Sequence, residues 1–352
     1  MTRGSGTHWL RPHLARAGLC FLATFLSCQV ALAEPPVRVS GSSWVHDAAT
    51  RVALERGYFD GQGPVIKVEI EGSGKASLER LLAGEVEFAK MATTPLARAL
   101  VDRAGKDPGP QDPVILATTS LSNQTHHVLA VRDRGIDNPR DLAGRRIGML
   151  FDTSAEFFWS LFAPIHGLDP DDVELVDLPL EDMAEALEKG EVDAVVTWDP
   201  WVYRQRQAVD RETLTFSERQ IYTMNWLLVT RREIVDEHPE LADRVIRGYQ
   251  KAVDTILAEP EQVIEYQSDD PELSSEYLRE MREQVIFQLS LNWALLTAME
   301  QQLNWILHRE IPGPAMRPKP QDYIAPGPIS RVAPEQLMLP EIRRTMDSSD
   351  GS

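Results

Sequence analysis

Cysteine is nearly absent from this chain: its 352 residues include two, Cys20 and Cys28, and both lie within the first 33 positions. The sequence beyond them can form no disulfide, and it offers neither a thiolate nucleophile nor a cysteine-based metal site. Basic residues are also scarce, with 36 Lys and Arg against 54 Asp and Glu. The resulting net charge of −18 disfavours binding to nucleic acid or to an anionic membrane surface, because both need a basic face.

Recognisable catalytic and metal-binding motifs are missing as well. Residues 72–75 (Gly-Ser-Gly-Lys) resemble part of a phosphate-binding loop, but Glu69 replaces its first Gly and Ala76 replaces its Ser or Thr. The chain contains no HExxH and no G-x-S-x-G motif. His126 and His127 are adjacent in a predicted strand, so their side chains point to opposite faces and do not easily share a metal. We therefore expect no catalytic residue, no metal and no cofactor.

The first 33 residues have the features of a secretory signal peptide. Arg3, Arg11 and Arg16 are its charged residues, an apolar run follows at residues 17–26, and small residues stand at the −3 and −1 positions of a site after Ala33. The apolar run is shorter than the roughly 20 residues that span a bilayer. A buried N-terminal helix is the alternative. We predict cleavage after Ala33 and no membrane-spanning segment in the processed chain.

Cys28 raises lipid anchoring as a further alternative. A lipoprotein signal places small residues directly before its cysteine, and Leu26 occupies one of those positions. Simple cleavage and release into the periplasm is the prediction.

An internal repeat organises the rest of the chain. Residues 81–89 and 187–195 each read as the end of an amphipathic helix, a Gly (Gly84 or Gly190), then Glu-Val-acid and a short apolar strand. Strands and helices alternate upstream of both copies, so each half reads β-α-β-α-β. Such alternation predicts a parallel sheet covered by helices. We predict two Rossmann-like α/β lobes.

Two crossover strands would join the lobes, one leaving at residues 126–132 and one returning at residues 225–230. The region from 239 to 307 has strong helical periodicity and should pack on the first lobe. Beyond residue 310 the chain is rich in proline and reads as an extended wrap with a disordered end. The predicted boundaries are residues 34–130 and 224–310 for lobe 1, 131–223 for lobe 2, and 311–352 for the extension.

Ligands of open α/β sheets bind at the carboxyl ends of the strands. The strand ends here supply hydroxyls, indoles, helix N-termini and carboxylates, which suit a small polar molecule held between aromatic walls. Capping, core packing and turn formation are the alternative roles of the same residues. The candidate ligand-binding residues are Ser43, Trp44, His46, Thr93, Thr94, Thr119, Ser120, Asp152, Thr153, Ser154, Glu156, Trp198, Asp199, Trp201 and Asn225.

These segments, taken in order, resemble the substrate-binding proteins of ABC importers for nitrate, sulfonates, taurine and thiamine-pyrimidine precursors. The resemblance runs from about residue 37 to 307 and is carried by residues 53–59, 81–89, 137–148, 152–157 and 198–200. It implies the type II periplasmic-binding fold, hinge closure of a monomer on a small molecule, and delivery to a membrane permease. Together the segments are specific; singly each is weak.

Two departures from the family pattern bear on the ligand. Asp152 stands where the family often has Gly, and Asp199 where it often has Glu. With Glu156, these carboxylates disfavour a bare anion and favour a zwitterion such as taurine. A periplasmic sensor and a pyrimidine-precursor binder or synthase are the alternatives. The synthase family relies on cysteines that the processed chain lacks.

Overall fold

The computed structural model describes residues 34–169, 172–267, 273–310 and 317–339. The predicted signal peptide and the predicted disordered end, from residue 340, lie outside the described residues. Among the described residues, no helix combines the length and apolarity that crossing a membrane requires.

Strands and helices alternate along most of the described chain. The strands are β1 (Val37–Gly41), β2 (Ile66–Ile70), β3 (Phe88–Ala92), β4 (Pro113–Ser122), β5 (His126–Val131), β6 (Arg146–Met149), β7 (Glu174–Asp177), β8 (Ala194–Trp198), β9 (Thr213–Ser217), β10 (Met224–Arg231), β11 (Ile286–Asn292) and β12 (Leu337–Met338). The helices are α1 (Ala48–Glu55), α2 (Gly74–Leu82), α3 (Thr93–Asp102), α4 (Ser154–Ile165), α5 (Met183–Lys189), α6 (Trp201–Ala208), α7 (Arg232–Glu237), α8 (Pro239–Ala258), α9 (Pro260–Gln267), α10 (Ser275–Glu283), α11 (Trp293–Glu310) and α12 (Gly327–Val332).

The strands form two sheets, one in each lobe. In the described residues, the first has the order β12-β11-β4-β10-β3-β1-β2 and the second the order β7-β6-β8-β5-β9. Within each sheet the strands of the repeat are parallel: β1 pairs with β2 and β3, and β6 pairs with β7 and β8. The neighbouring strands β10, beside β3, and β5, beside β8, run antiparallel to them. The predicted α/β fold with a repeated β-α-β-α-β unit is therefore confirmed.

The two glycines of the repeat adopt the conformation that ends their helices. Gly190 directly follows α5 with φ +70°, and Gly84 lies two residues past the end of α2, after the C-cap Ala83, with φ +74°. Both values fall in the left-handed region, which residues with a Cβ rarely adopt. Each helix thus stops at the same point, and the chain turns into β3 or β8, which are completely buried.

The connection between the lobes differs from the prediction in one respect. The segment that begins at His126 is the strand β5 of the second sheet, paired with β8 and β9, and is not a strand leaving the first lobe. The chain crosses at residues 123–125, between β4 and β5, and returns between β9 and β10. The boundary between the lobes therefore lies before His126, whereas the prediction placed it after Ala130.

The stretch from 239 to 307 is not helical throughout. It contains β11, which adds to the first sheet beside β4. Phe287, Leu289 and Leu291 are all buried and alternate along the strand, and this period of two was masked by the helical period of the flanking α10 and α11.

The proline-rich extension is folded where it is described. It contributes α12, which packs on α8, and β12, which pairs with β11 at the edge of the first sheet. Ile329 and Leu337 are buried in the core of the first lobe. The predicted extended wrap thus includes a helix and an added edge strand.

Candidate functional site

A cavity lies between the lobes, where the carboxyl ends of the parallel strands of both sheets face each other. Its free volume is about 20 Å³, room for about one water molecule. We call it the inner cavity. Its walls are Trp44, His46, Gly74, Lys75, Ala92, Pro95, Thr125, His126, Thr153, Ser154, Trp198, Met224 and Trp226.

The N-termini of α2, α3 and α4 meet at the inner cavity. α2 begins at Gly74 behind the N-cap Ser73, whose hydroxyl accepts from the amide of Ala76 at 3.2 Å. α4 begins at Ser154 behind the N-cap Thr153. The first amides of a helix have no intrahelical acceptor and form the positive end of its dipole. Their convergence makes the inner cavity suited to an anion.

Gly74 explains how closely α2 approaches the sheet. A Cβ at this position would lie 2.8 Å from the Cα of Met91 in β3, closer than atoms pack. Any larger residue would push the helix end away from the strand. The absence of a side chain therefore places the α2 N-terminus at the cavity wall.

Aromatic rings form the remaining walls. The ring centroid of Trp44 lies 5.7 Å from that of Trp198 across the cleft and 5.7 Å from that of Trp226 in its own lobe. His46 packs edge-on against Trp226 at 4.7 Å. The indole Nε1 of Trp198 and the Nε2 of His46 are buried without a hydrogen-bond partner. Buried polar groups normally have partners, so these two atoms are available to a ligand.

Both histidines at the cavity are neutral at physiological pH. Burial, with a smaller contribution from Lys90, lowers the pKa of His46 to about 3. Burial also lowers the pKa of His126 well below its usual value. The His126 Nε2 lies 2.8 Å from the Ser154 hydroxyl, which holds the ring against α4. Helix ends and Lys75, and not imidazolium ions, thus give the inner wall its positive character.

A buried ion pair supports the wall that carries Trp44 and His46. Lys90 Nζ lies 3.6 Å from Asp47 Oδ1, and both side chains are fully buried. The other oxygen of Asp47 accepts from the amide of Ser42 at 2.7 Å. The hydroxyl of Ser120 donates to the carbonyl of His46 at 2.6 Å. These bonds fix the turn between β1 and α1.

Two carboxylates near the α4 N-terminus bind cations of the other lobe. Asp152 Oδ2 lies 3.2 Å from Lys75 Nζ on α2, and Glu156 pairs with Arg309 on α11. The backbone amide of Asp152 donates to Glu156 at 3.0 Å. Asp152 has φ +60°, a conformation that favours Gly. A residue with a Cβ in this conformation destabilises the backbone by about 1 kcal/mol. These interlobe ion pairs hold the lobes together beside the inner cavity.

We expect Glu156→Gln to weaken the contact between the lobes by about 1 kcal/mol, because the carboxamide cannot form the ion pair with Arg309. Small-angle scattering of the unliganded protein should then give a larger radius of gyration than wild type. Glu181→Gln, at an exposed position of the same lobe, is the control. Identical scattering from all three proteins would contradict this role.

The predicted site residues divide into two groups. Trp44, His46, Thr153, Ser154 and Trp198 line the inner cavity. Asp199 lies just beyond it, in a side chamber that shares Trp44, His46 and Thr125 with the inner cavity. The His127 Nε2 lies 3.0 Å from its carboxylate.

The other predicted residues have different positions. Asp152 and Glu156 form the interlobe ion pairs, and Thr119 and Ser120 bond to Lys90 and to the carbonyl of His46. Thr93 accepts from Gln302, and Thr94 is buried in the first turn of α3. Asn225 lines a separate groove at the hinge. Trp201 packs on the second lobe beneath Arg204, and Ser43 follows β1 without lining the cavity.

Sequence reasoning missed several wall residues. Gly74 and Lys75 belong to the failed phosphate-loop motif, and the sequence leaves open whether the helix end there, capped by Ser73, faces a ligand or water. His126 enters the sequence argument only as a metal ligand, and no sequence signal separates Trp226 from a core residue, yet both line the inner cavity. Among the described residues, no group of three or more His, Cys, Asp or Glu is placed to hold a metal ion.

Comparison with known proteins agrees with this architecture. The taurine-binding periplasmic protein of Escherichia coli is 26% identical over 54% of this chain and 57% of its own length. The alignment thus spans little more than half of that relative. The alkanesulfonate-binding protein SsuA of Xanthomonas axonopodis pv. citri, solved with bound MOPS, superposes with a TM-score of 0.69 at 15% identity and covers 84% of this chain and 100% of its own.

The fold is shared with an enzyme as well. The desulfurization enzyme DSZB superposes with a TM-score of 0.60 at 17% identity, over 86% of this chain and 99% of its own. The two-lobed fold predicted from the sequence is confirmed by these superpositions. The sequence itself matches the family described as NMT1/THI5 like over residues 46–263, which is more than half of the chain. The predicted family resemblance is therefore confirmed, and the protein belongs to the NMT1/THI5-like family.

Proposed function

We propose that this protein captures a small organic sulfonate, with an aminosulfonate such as taurine favoured, between its lobes and delivers it to an ABC import permease. The observation that carries the proposal is the convergence of the α2, α3 and α4 N-termini on the inner cavity. No carboxylate is among the described residues that line that cavity. An anionic group is therefore attracted there by several helix ends at once.

A sulfonate matches the donors of this cavity. Its negative charge is spread over three oxygens, each able to accept from a different direction. Amides at the helix ends and the unpartnered Nε1 of Trp198 can reach separate oxygens. Trp44 and Trp226 supply the apolar surface that a short carbon chain requires. The relatives that bind taurine and alkanesulfonates support the same class of ligand.

Asp199 is the group that favours an amine at the other end of the ligand. The sequence argument for a zwitterion used Asp152, Glu156 and Asp199 together. Asp152 and Glu156 pair with cations of the other lobe, so they no longer support it. Asp199 is 8% exposed and lies in the side chamber, which Trp44 also lines. Its neighbour His127 lies 3.0 Å from Oδ2, and Tyr277 also interacts with the carboxylate, so an ammonium group would share Asp199 with both.

Binding without catalysis is part of the proposal. The fold also occurs in an enzyme, so the fold alone does not decide this. The chain after residue 33 contains no cysteine to act as a nucleophile. Export to the periplasm follows from the predicted signal peptide and agrees with the periplasmic relative. Co-purification with a permease, as opposed to a sensor kinase, tests delivery separately from binding.

We expect Asp199→Asn to weaken taurine binding by about 10- to 100-fold, the effect of losing one charge-assisted hydrogen bond. The affinity for ethanesulfonate, which lacks the amine, should change little. Calorimetric titration of both ligands into wild type and variant measures the difference. Asp210→Asn, an exposed substitution in the same lobe, should change neither affinity.

Several outcomes of this titration would contradict the proposal. Equal losses for taurine and ethanesulfonate would remove the amine role of Asp199. Tight binding of nitrate or of a thiamine-pyrimidine precursor, with no heat from any sulfonate, would overturn the ligand class.

A further inference from the structure

Two buried hydroxyls beside the inner cavity have no hydrogen-bond partner among the described residues. One belongs to Thr94 in the first turn of α3, between the cavity-wall residues Ala92 and Pro95. The other belongs to Tyr222, in the returning crossover between β9 and β10. Buried polar groups normally have partners, so these two hydroxyls are available to a ligand.

The Tyr222 hydroxyl lies where the ends of α3 and α4 come together. It faces the hydroxyls of Thr93 and Thr94 on α3 and of Ser154 on α4, without the geometry of a hydrogen bond to any of them. The Tyr222 ring packs edge-on against His126 with ring centroids 5.0 Å apart, which holds the phenol in this position. Burial raises the pKa of Tyr222 to about 12, so the hydroxyl is protonated at neutral pH and can donate.

The α3 end lacks one of the backbone donors that the start of a helix ordinarily presents. Pro95 is the third residue of α3 and has no N–H, and the N-cap Ala92 has no side-chain oxygen. A hydroxyl can supply the donor that Pro95 does not. Thr94 and Tyr222 together thus give the α3 end side-chain donors toward an anion.

We propose that the hydroxyls of Tyr222 and Thr94 bind the sulfonate oxygen that faces α3, and that Tyr222 thereby selects a sulfonate over a carboxylate. The inference rests on the proposed function, which places the sulfonate at the helix ends. A sulfonate carries three oxygens around a tetrahedral sulfur, so one oxygen can face each helix end. A carboxylate has two oxygens in one plane, and when these reach α2 and α4 it makes no bond on the α3 side.

The place of Tyr222 in the chain suits this role. The inner cavity has room for about one water molecule in this structure, so a sulfonate binds with the lobes further apart. Thr94 belongs to the first lobe and Ser154 to the second, and Tyr222 lies on the connection between the lobes. A donor on that connection can remain near both helix ends when the gap between them widens.

Tyr222→Phe tests this role, because it removes the hydroxyl and keeps the ring that packs on His126. Calorimetric titration compares taurine with β-alanine, which has the same amine and carbon chain but a carboxylate in place of the sulfonate. We expect Tyr222→Phe to weaken taurine binding by about 10- to 100-fold, the effect of losing one hydrogen bond to a charged group. The affinity for β-alanine, measured by displacement of taurine, should stay unchanged.

A second variant and a matched control accompany this titration. Thr94→Val keeps the shape of Thr without its hydroxyl and should also weaken taurine binding more than β-alanine binding. Tyr323→Phe is the control, because Tyr323 is buried in the core of the first lobe and lies outside the walls of the inner cavity and the side chamber. It should change neither affinity, and thermal melting shows that each variant is folded.

An unchanged taurine affinity in Tyr222→Phe would overturn the role of Tyr222 and leave the proposed function in place. A loss for β-alanine as large as that for taurine would overturn it as well, because a structural defect weakens both ligands equally. A wild type that binds no sulfonate would instead contradict the proposed function, so the two failures can be told apart.

Discussion

Ser154→Asp should weaken sulfonate binding by at least 100-fold. Ser154 is the first residue of α4, lines the inner cavity and is 5% exposed. A carboxylate there would face the sulfonate at close range. Two like charges about 4 Å apart repel by about 4 kcal/mol at the effective dielectric of a protein surface, which corresponds to roughly 1000-fold in affinity. Calorimetric titration with taurine measures the loss.

The fold should tolerate this substitution, because a negative charge at a helix N-terminus stabilises the helix. Ser154→Asn is the matched control, since Asn has the shape of Asp without its charge. We expect Ser154→Asn to weaken taurine binding less than tenfold. The melting temperatures of both variants should stay close to that of the wild type. If Asn and Asp weaken taurine equally, the effect is steric, and an anion does not occupy this helix end.

Asp47→Asn should reduce the free energy of unfolding by about 3–5 kcal/mol at pH 7, the usual cost of leaving a buried charge without its partner. Asp47 and Lys90 are both fully buried, and Lys90 also lies 4.9 Å from the ring centroid of Tyr249. Burial already lowers the pKa of Lys90 to about 8, and Asp47 opposes that shift. Urea unfolding measures the change.

The pH dependence of this variant has a definite sign. Without Asp47 the pKa of Lys90 falls further in the folded state, while the unfolded chain keeps its usual lysine pKa. The unfolded state then binds more protons than the folded state across the pH range between these values, so the stability of the variant rises with pH. The deficit against wild type should therefore narrow as the pH rises to about 8, above which Lys90 titrates in both folded proteins.

Replacing both partners provides the control for Asp47→Asn. Asp47→Asn combined with Lys90→Met should recover most of the lost stability, because an apolar side chain needs no counter-charge. A double variant as unstable as the single one would show that the hydrogen bonds of Asp47 to Ser42 and Thr50 matter more than its charge pairing.

The sequence predicted the repeated unit and the edge where the site lies, because both depend on local signals. Gly84 and Gly190 mark helix ends through backbone conformation, and short apolar runs mark buried strands. Strand ends in such a sheet share one edge, so Trp44, Ser154 and Trp198 could be placed near a ligand before their contacts were known. The family resemblance rests on the same segments.

The remaining features depend on contacts distant in sequence. The sequence predicts that Asp152 and Glu156 face the ligand, but their partners Lys75 and Arg309 lie 77 and 153 residues away, and no local pattern pairs them. The sequence predicts helix at β11 because helices flank it on both sides. Its place beside β4 is decided by pairing across more than 160 residues, as in the pair of Ile286 with Leu121.

A crystal structure of the protein with taurine, with the sulfur located by its anomalous signal, tests the central claim most directly. The account predicts the sulfonate in the inner cavity, its oxygens within hydrogen-bonding distance of the α2 and α4 N-terminal amides and of Trp198 Nε1, and the ammonium group at Asp199. A sulfur atom at the Asp199 end, or outside the cleft between the lobes, would contradict it.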